Sequence, residues 1–385
     1  MLTPDFAVIL TQKIIPLVCA LIGFGSLIAV HELGHFLFCK LFGIHTPTFS
    51  IGFGPELFRR QIGDTNFRLA LIPLGGYVEI AGLVEVGQGE QAHATITGER
   101  SFESKPYWQK FLVLMGGILF NLISAYIIFC TLFLVGTSDR QAIIIAGIVK
   151  ESAAEKAGLL HGDAITDING VALVQDTKLL TNAQDLLLAQ LRSHPNQEVS
   201  MTVLREDKTL EIHAHLGSRQ ERGSEVGTLG ANLVTPMPKL PFLQALKAGF
   251  EYTNNSIILL MQSIKGLFAS RSLEGAGGPV MMLSMSFSSA QNGILPLLSF
   301  LGLMNINLML LNMLPIGALD GGQLLFVTIE AIIRRKLPMG LRNGLNIASW
   351  IFFIGLAVLL TYRDVVHLFG SSLKALWSKL ASLVG

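Results

Sequence analysis

Long uncharged runs decide what this chain can become. Residues 14–30 carry no charge, and the run then continues past a His-Glu-Leu-Gly-His interruption and Lys40 to Phe42. Residues 111–138 are uncharged throughout, residues 275–319 are uncharged over a length too great for one simple span, and residues 343–362 form a compact fourth run. A helix needs roughly 20 apolar residues to cross about 30 Å of hydrocarbon, so each run predicts a membrane span. The first is too long for a signal peptide, has no basic lead beyond Lys13 and shows no small-residue cleavage site, so it reads as a retained span. Composition agrees: 51% of residues are hydrophobic and 14% charged, against roughly 25% charged in a soluble domain.

A cytosolic globular protein is therefore excluded. The 28 basic and 27 acidic residues leave a formal charge of +1, with no basic excess for nucleic acid. Cys19, Cys39 and Cys130 all lie in apolar stretches and build no disulfide framework. Lys40, Arg59, Arg60, Arg68, Arg100, Lys105 and Lys110 follow the first run, and Arg334, Arg335, Lys336 and Arg342 precede the fourth. The positive-inside tendency places both groups in the cytosol, with the termini and residues 139–274 on the other side.

The patterning predicts a multi-pass α-helical membrane protein of about four transmembrane helices, with a re-entrant β hairpin and an inserted α+β domain. Its expected segments are a first span at 7–42, a cytosolic region at 43–110 holding the β loop, and a second span at 111–138. An α+β domain at 142–217 follows, then an amphipathic helix at 240–272 along the membrane surface. A third span at 294–333, a fourth at 343–366 and a C-terminal amphipathic helix at 371–385 complete the order. Residues 67–78, FRLALIPLGGYV, are β-prone but too short to cross; they fit either a re-entrant hairpin or one packed on headgroups. Residues 84–100 read as a mobile loop.

His31-Glu32-Leu33-Gly34-His35 carries the chemistry. Helical spacing sets His31 and His35 one turn apart on one face, where both imidazoles reach one Zn²⁺, and leaves Glu32 beside them to take a proton from water. Two histidines and a glutamate in an apolar run cost several kcal/mol without a ligand or partner. A third ligand is needed. Cys39 lies about 12 Å from His31 along the axis, beyond the reach of one ion. Asp320, in NMLPIGALDGGQ, is the better candidate: it is the first charge of the third apolar region, and Pro315, Gly317, Gly321 and Gly322 loosen the helix around it.

HELGH in the first span, MGGILFN at 115–121 and NMLPIGALDGG at 312–322 together resemble the site-2 protease family of zinc intramembrane metalloproteases. The stretch GIVKESAAEKAGLLHGDAITDINGVAL resembles a PDZ domain of the permuted bacterial type, the other reading being a spacer domain without a ligand. With GGPV at 277–280, it points to the bacterial branch that includes the regulator-of-sigma-E protease. The resemblance implies a metal site of His31, His35 and Asp320, with Glu32 as general base. It implies substrate contacts at Asn312, with Asn307 a further candidate, and at the β loop around Pro73, Gly75 and Gly76. It also implies single-span membrane substrates such as anti-sigma-factor-like regulators or signal-peptide remnants, cleaved after a prior cut. The expected setting is a bacterial inner membrane, with the PDZ domain extracytoplasmic and binding a peptide C-terminus. Two departures stand out: one PDZ domain where many members have two, and Gly317 where a second proline is common. The alternative is a PDZ-bearing scaffold or pseudoprotease without turnover.

Overall fold

The structure is a computed structural model that describes residues 10–83, 98–137, 142–149, 151–175, 178–180, 183–206, 208–221, 224–270 and 277–384. The loop expected at 84–100 lies mostly outside them. The chain divides into a unit of Met1–Phe129 with Gly249–Gly385 and a unit of Cys130–Ala248.

In the first unit a π-helical turn, Leu10–Ile14, leads into α1, Ile15–Leu41. Strands β1, Thr48–Ile62, and β2, Thr65–Val78, then form a folded-over hairpin. Residues 48–51 of β1 pair on one flank with residues 66–69 and on the other with residues 76–78, while residues 56–62 return against residues 65–70. One strand is thus used twice. Gly52 and Gly54, at φ +88° and +87°, give the bend that separates the two halves of β1, a conformation that side chains beyond Cα disfavour. The hairpin turns Leu57, Phe58, Ile62 and Leu71 outward, all more than half exposed.

The helices that follow are α2, Tyr107–Val135, and, after the strands of the second unit, α5, Phe242–Ser270, α6, Pro279–Gln291, α7, Ile294–Asn312, α8, Asp320–Ile333, and α9, Met339–Val384. Among the described residues, four helical stretches are long and apolar enough to cross a membrane: Leu10–Leu41, Tyr107–Val135, Ile294–Asn312 and Met339–Val366. Two features depart from expectation. The segment 294–333 is two helices, because Pro315 lacks an amide N–H and the chain runs extended at Leu319 (φ −110°, ψ 160°). The fourth span and the C-terminal helix form one continuous α9, since no residue between them breaks the backbone pattern. The amphipathic α5 meets α2: the Tyr126 ring lies tilted 4.4 Å from Phe250 and its hydroxyl donates to Asn254 Oδ1 at 2.6 Å, and Phe129 meets Tyr252 at 4.7 Å. Asn254, on its polar side, is thus bonded to a neighbouring helix.

The second unit holds the α+β fold that the patterning predicts. Its six-stranded sheet runs β3, Ile143–Ile148, β4, Ala164–Ile168, β5, Glu198–Arg205, β6, Lys208–His215, and β7, Ala231–Val234, in the order β7-β3-β4-β5-β6, with the two-residue strand Val171–Ala172 paired to the end of β4. Helices α3, Ala153–Lys156, and α4, Ala183–Arg192, accompany it, and Ile143, Ile165, Leu187 and Met201 are fully buried in its core. The unit reaches past 217 because β7, beside β3, completes the sheet; the short sequence ANLV shows too little alternation to announce a strand. Arg205 Nε and an Nη donate to the two oxygens of buried Asp163 at 2.8 and 2.7 Å, a bidentate pair that raises the Arg205 pKa.

Candidate metal centre

The centre is assembled from three helices of the first unit. On α1, His31 and His35 stand edge to face with ring centroids 4.9 Å apart and Nε2 atoms 3.3 Å apart. Asp320, the first residue of α8, brings Oδ2 to 3.2 Å from His31 Nε2 and 3.4 Å from His35 Nε2. Among the described residues, these three are the group of His, Cys and acidic side chains whose donor atoms gather closely enough to hold a metal. Cys39 is fully buried in an apolar cluster with Ile44 and Phe49 and takes no part.

Asp320 reaches the histidines because the chain between α7 and α8 folds back tightly. Gly321 packs on the backbone of Met313 and Leu314, and Gly322 on that of Ile316, leaving no room for a Cβ at either position. Gln323 locks this turn: its Nε2 donates to Gly317 O at 2.7 Å and to Asn346 Oδ1 at 3.2 Å, and its Oε1 accepts from Arg342 at 2.8 Å.

α2 supplies the remaining wall. Gly34 and Gly116 meet backbone to backbone, and a Cβ at Gly117 would fall inside contact of both imidazoles. Small residues allow helices to approach this closely. His35 Nδ1 donates to Val113 O at 2.8 Å, which fixes its tautomer and leaves the Nε2 lone pair facing Asp320. His31 Nδ1 lies 3.1 Å from the side-chain amide of Asn121. The atom placed there is Nδ2, while the buried Oδ1 lacks a partner; turning the amide over satisfies Oδ1 with Nδ1–H and frees the second Nε2 in the same way.

With the Asn121 amide in that orientation three lone-pair atoms face one another, and Asp320 Oδ2 has no hydrogen-bond partner. Such an arrangement is repulsive unless a cation sits among them. Ligands about 2.0–2.1 Å from a tetrahedral zinc lie ~3.3 Å from each other, and the three separations here, 3.2, 3.3 and 3.4 Å, match that. The donor set fits zinc.

Glu32 is buried at 6% exposure on the same helix, and its Oε2 accepts the Val78 backbone N–H at 3.1 Å. This bond ties the last residues of β2 to α1, and Gly76 is close enough that a Cβ would lie 3.7 Å from Glu32 Cγ. Gly75 is covered by the Phe53 ring, and the Pro73 side chain lies outside what is described. Asn312 ends α7, half-buried, eight residues before Asp320. Asn307, also half-buried, makes no polar contact among the described residues; the buried amide of α7 is Asn305, whose Nδ2 donates to Ser124 Oγ at 3.3 Å. The sequence by itself assigns no role to Asn121 or Gln323. The four-residue spacing of Gly117 and Asn121 on one helix face was the available signal for the first.

Asn121→Ala is expected to weaken zinc affinity about 10–100-fold, measured by chelator competition on the purified chain. Unchanged affinity would remove Asn121 from the support of His31.

The profile of Peptidase family M50 matches residues 19–358. The chain belongs to peptidase family M50. This is the site-2 protease family anticipated from the motifs. A Clostridium perfringens relative provisionally named a zinc metalloprotease is 30% identical over 91% of this chain and 98% of its own length. A Fusobacterium nucleatum relative of the same provisional name is 31% identical over 91% of this chain and 98% of its own. The regulator of sigma-W protease RasP of Bacillus subtilis is 27% identical over 90% of this M50 chain and 97% of its own.

Proposed function

We propose that this M50 peptidase is a zinc-dependent endopeptidase that cuts peptide bonds within membrane-spanning segments of tethered, single-span proteins in a bacterial inner membrane. The observation that carries the reading is the convergence of the His31, His35 and Asp320 donors on a helix apolar enough to cross a membrane, with Glu32 buried beside them. His31, His35 and Asp320 would hold the metal through one donor atom each. Zinc, when bound, supplies Lewis acidity that polarises a carbonyl and acidifies water. Glu32 takes the proton of the attacking water and delivers it to the leaving amine, and the Val78 N–H holds its carboxylate in place.

A substrate helix hides its carbonyls in its own hydrogen bonds and has to unwind before attack. The flank of residues 76–78 away from Ser50 runs beside Glu32 and can take the released strand by β-addition, with Gly75 and Gly76 keeping it flat and Pro73 closing the loop. Asn312 and Asn307 on α7 offer amide contacts to that strand. The outward Leu57, Phe58 and Leu71 support a hairpin that enters the apolar layer. The second unit acts as an extracytoplasmic PDZ domain that binds a peptide C-terminus and screens substrates, passing regulators or signal-peptide remnants already trimmed by another protease.

Purified chain in liposomes with a tethered test substrate, assayed for metal content and cleavage together, tests this reading. It should hold about one zinc and cleave within the membrane segment. Asp320→Ala should lose the zinc and Cys39→Ala should keep it; the opposite pattern would reassign the third ligand. A chain that binds zinc but never cuts the embedded segment would be a pseudoprotease.

A further inference from the structure

A second cluster of charge lies at the other end of α8, away from Asp320. Two cavities of about 300 and 250 Å³ adjoin there and share Lys110, Val327, Glu330 and Lys336 as lining. Their walls carry five cations, Lys110, Arg334, Arg335, Lys336 and Arg342, against two carboxylates, Glu103 and Glu330. Both carboxylates are already engaged: Glu103 pairs with Lys336, and Glu330 Oε1 accepts the Leu337 N–H at 3.0 Å. Three positive charges remain in surplus.

Several of these groups are held in position. Arg342 donates to Gln323 and lies 5.9 Å over the Phe326 ring, and the Lys110 ammonium lies 5.8 Å over Phe102. Arg334 ends α8 at φ +53°, and neither it nor Arg335 has an ion pair among the described residues. α9 starts at Met339 in the wall of the larger cavity, which adds the positive end of a helix. Guanidinium forks and a lysine point charge are the chemistry that binds phosphate.

We propose that these cavities bind a phosphate group, and that it is the headgroup phosphate of an anionic phospholipid. Basic residues at span ends commonly do no more than set orientation; here they line two adjoining clefts open to the surface. The lipid source follows from the neighbours. Two candidate spans begin beside the cluster, at Tyr107 and Met339. Ile332 and Met339, 75% and 61% exposed, flank the cations. Headgroup-binding surface and acyl-chain surface therefore adjoin, as basic pockets between membrane helices require. The proposal rests on the chain being a membrane protein and not on its catalytic role.

The full-length chain, purified in neutral detergent and stripped of lipid, is offered phosphatidylglycerol, phosphatidylethanolamine or inorganic phosphate and examined by native mass spectrometry. Phosphatidylglycerol is expected to bind about tenfold or more tightly than phosphatidylethanolamine, and the double variant Arg334→Gln, Arg335→Gln should lose about tenfold or more of that affinity. Lys13→Gln with Lys265→Gln, which removes two cations elsewhere, should bind as before. Should the double variant fail to assemble, judged by zinc content and elution, Lys336→Gln alone carries the same test. Equal binding of the two lipids, or undiminished binding by the variants, overturns the proposal. Displacement of the lipid by inorganic phosphate, which then occupies the stripped chain, overturns the lipid source.

Discussion

Glu32→Gln is expected to lower cleavage by about 10²–10⁴-fold while zinc stays bound at full occupancy. Glutamine keeps the size of the side chain and an oxygen that can still accept the Val78 N–H, so the attachment of the hairpin to α1 survives. What is lost is the ability to take and return a proton. Glu32→Ala makes the useful contrast, since it also leaves a buried N–H without an acceptor, at about 1–3 kcal/mol. Metal analysis, cleavage of the tethered substrate and thermal unfolding on both variants separate these effects. Turnover by Glu32→Gln within a few fold of the original chain would take the proton-transfer role away from Glu32.

Gly117→Ala should eliminate zinc binding and lower activity about 10²-fold or more, although the substitution is among the mildest available. Within a helix, alanine is favoured over glycine by about 1 kcal/mol, so α2 by itself gains. The added methyl, however, falls inside contact of His35 Nε2 and His31 Cε1, the edges that face Asp320. Stability and metal affinity should therefore move in opposite directions or at least separate. A variant that binds zinc as tightly as the original would mean that α2 can shift away from α1 without disturbing the ligands.

How much of this was readable in advance depends on how far apart the partners lie in the chain. His31, Glu32 and His35 lie within one helical turn, so their spacing alone implies a shared face. Asp320 is nearly three hundred residues away and was still legible, because a lone carboxylate in an apolar region carries a cost that needs a partner. The contribution of α2 was not legible in the same way. Gly116, Gly117 and Asn121 matter through what they leave open or hold on another helix, and no local pattern states which helix that will be. The partner of the amphipathic helix was hidden for a related reason: a polar stripe shows that Asn254 needs a hydrogen bond, but not that Tyr126 supplies it. The division of 294–333 was half legible. Pro315 and the glycines signalled loosening, while the lock by Gln323 arises only once Asn346 and Arg342 are brought alongside.

The crossing of Gly34 and Gly116 bears on how a substrate can arrive. Where side chains separate two helices, rotamer changes can open a passage and close it again. Here main chain touches main chain, and Val113, one turn before Gly116, holds the imidazole of His35. Prying these helices apart would dismantle the ligands together with the seam. The door for an incoming helix thus lies on another side of α1, and cross-linking α1 to α2 at this seam should leave admission of substrate untouched.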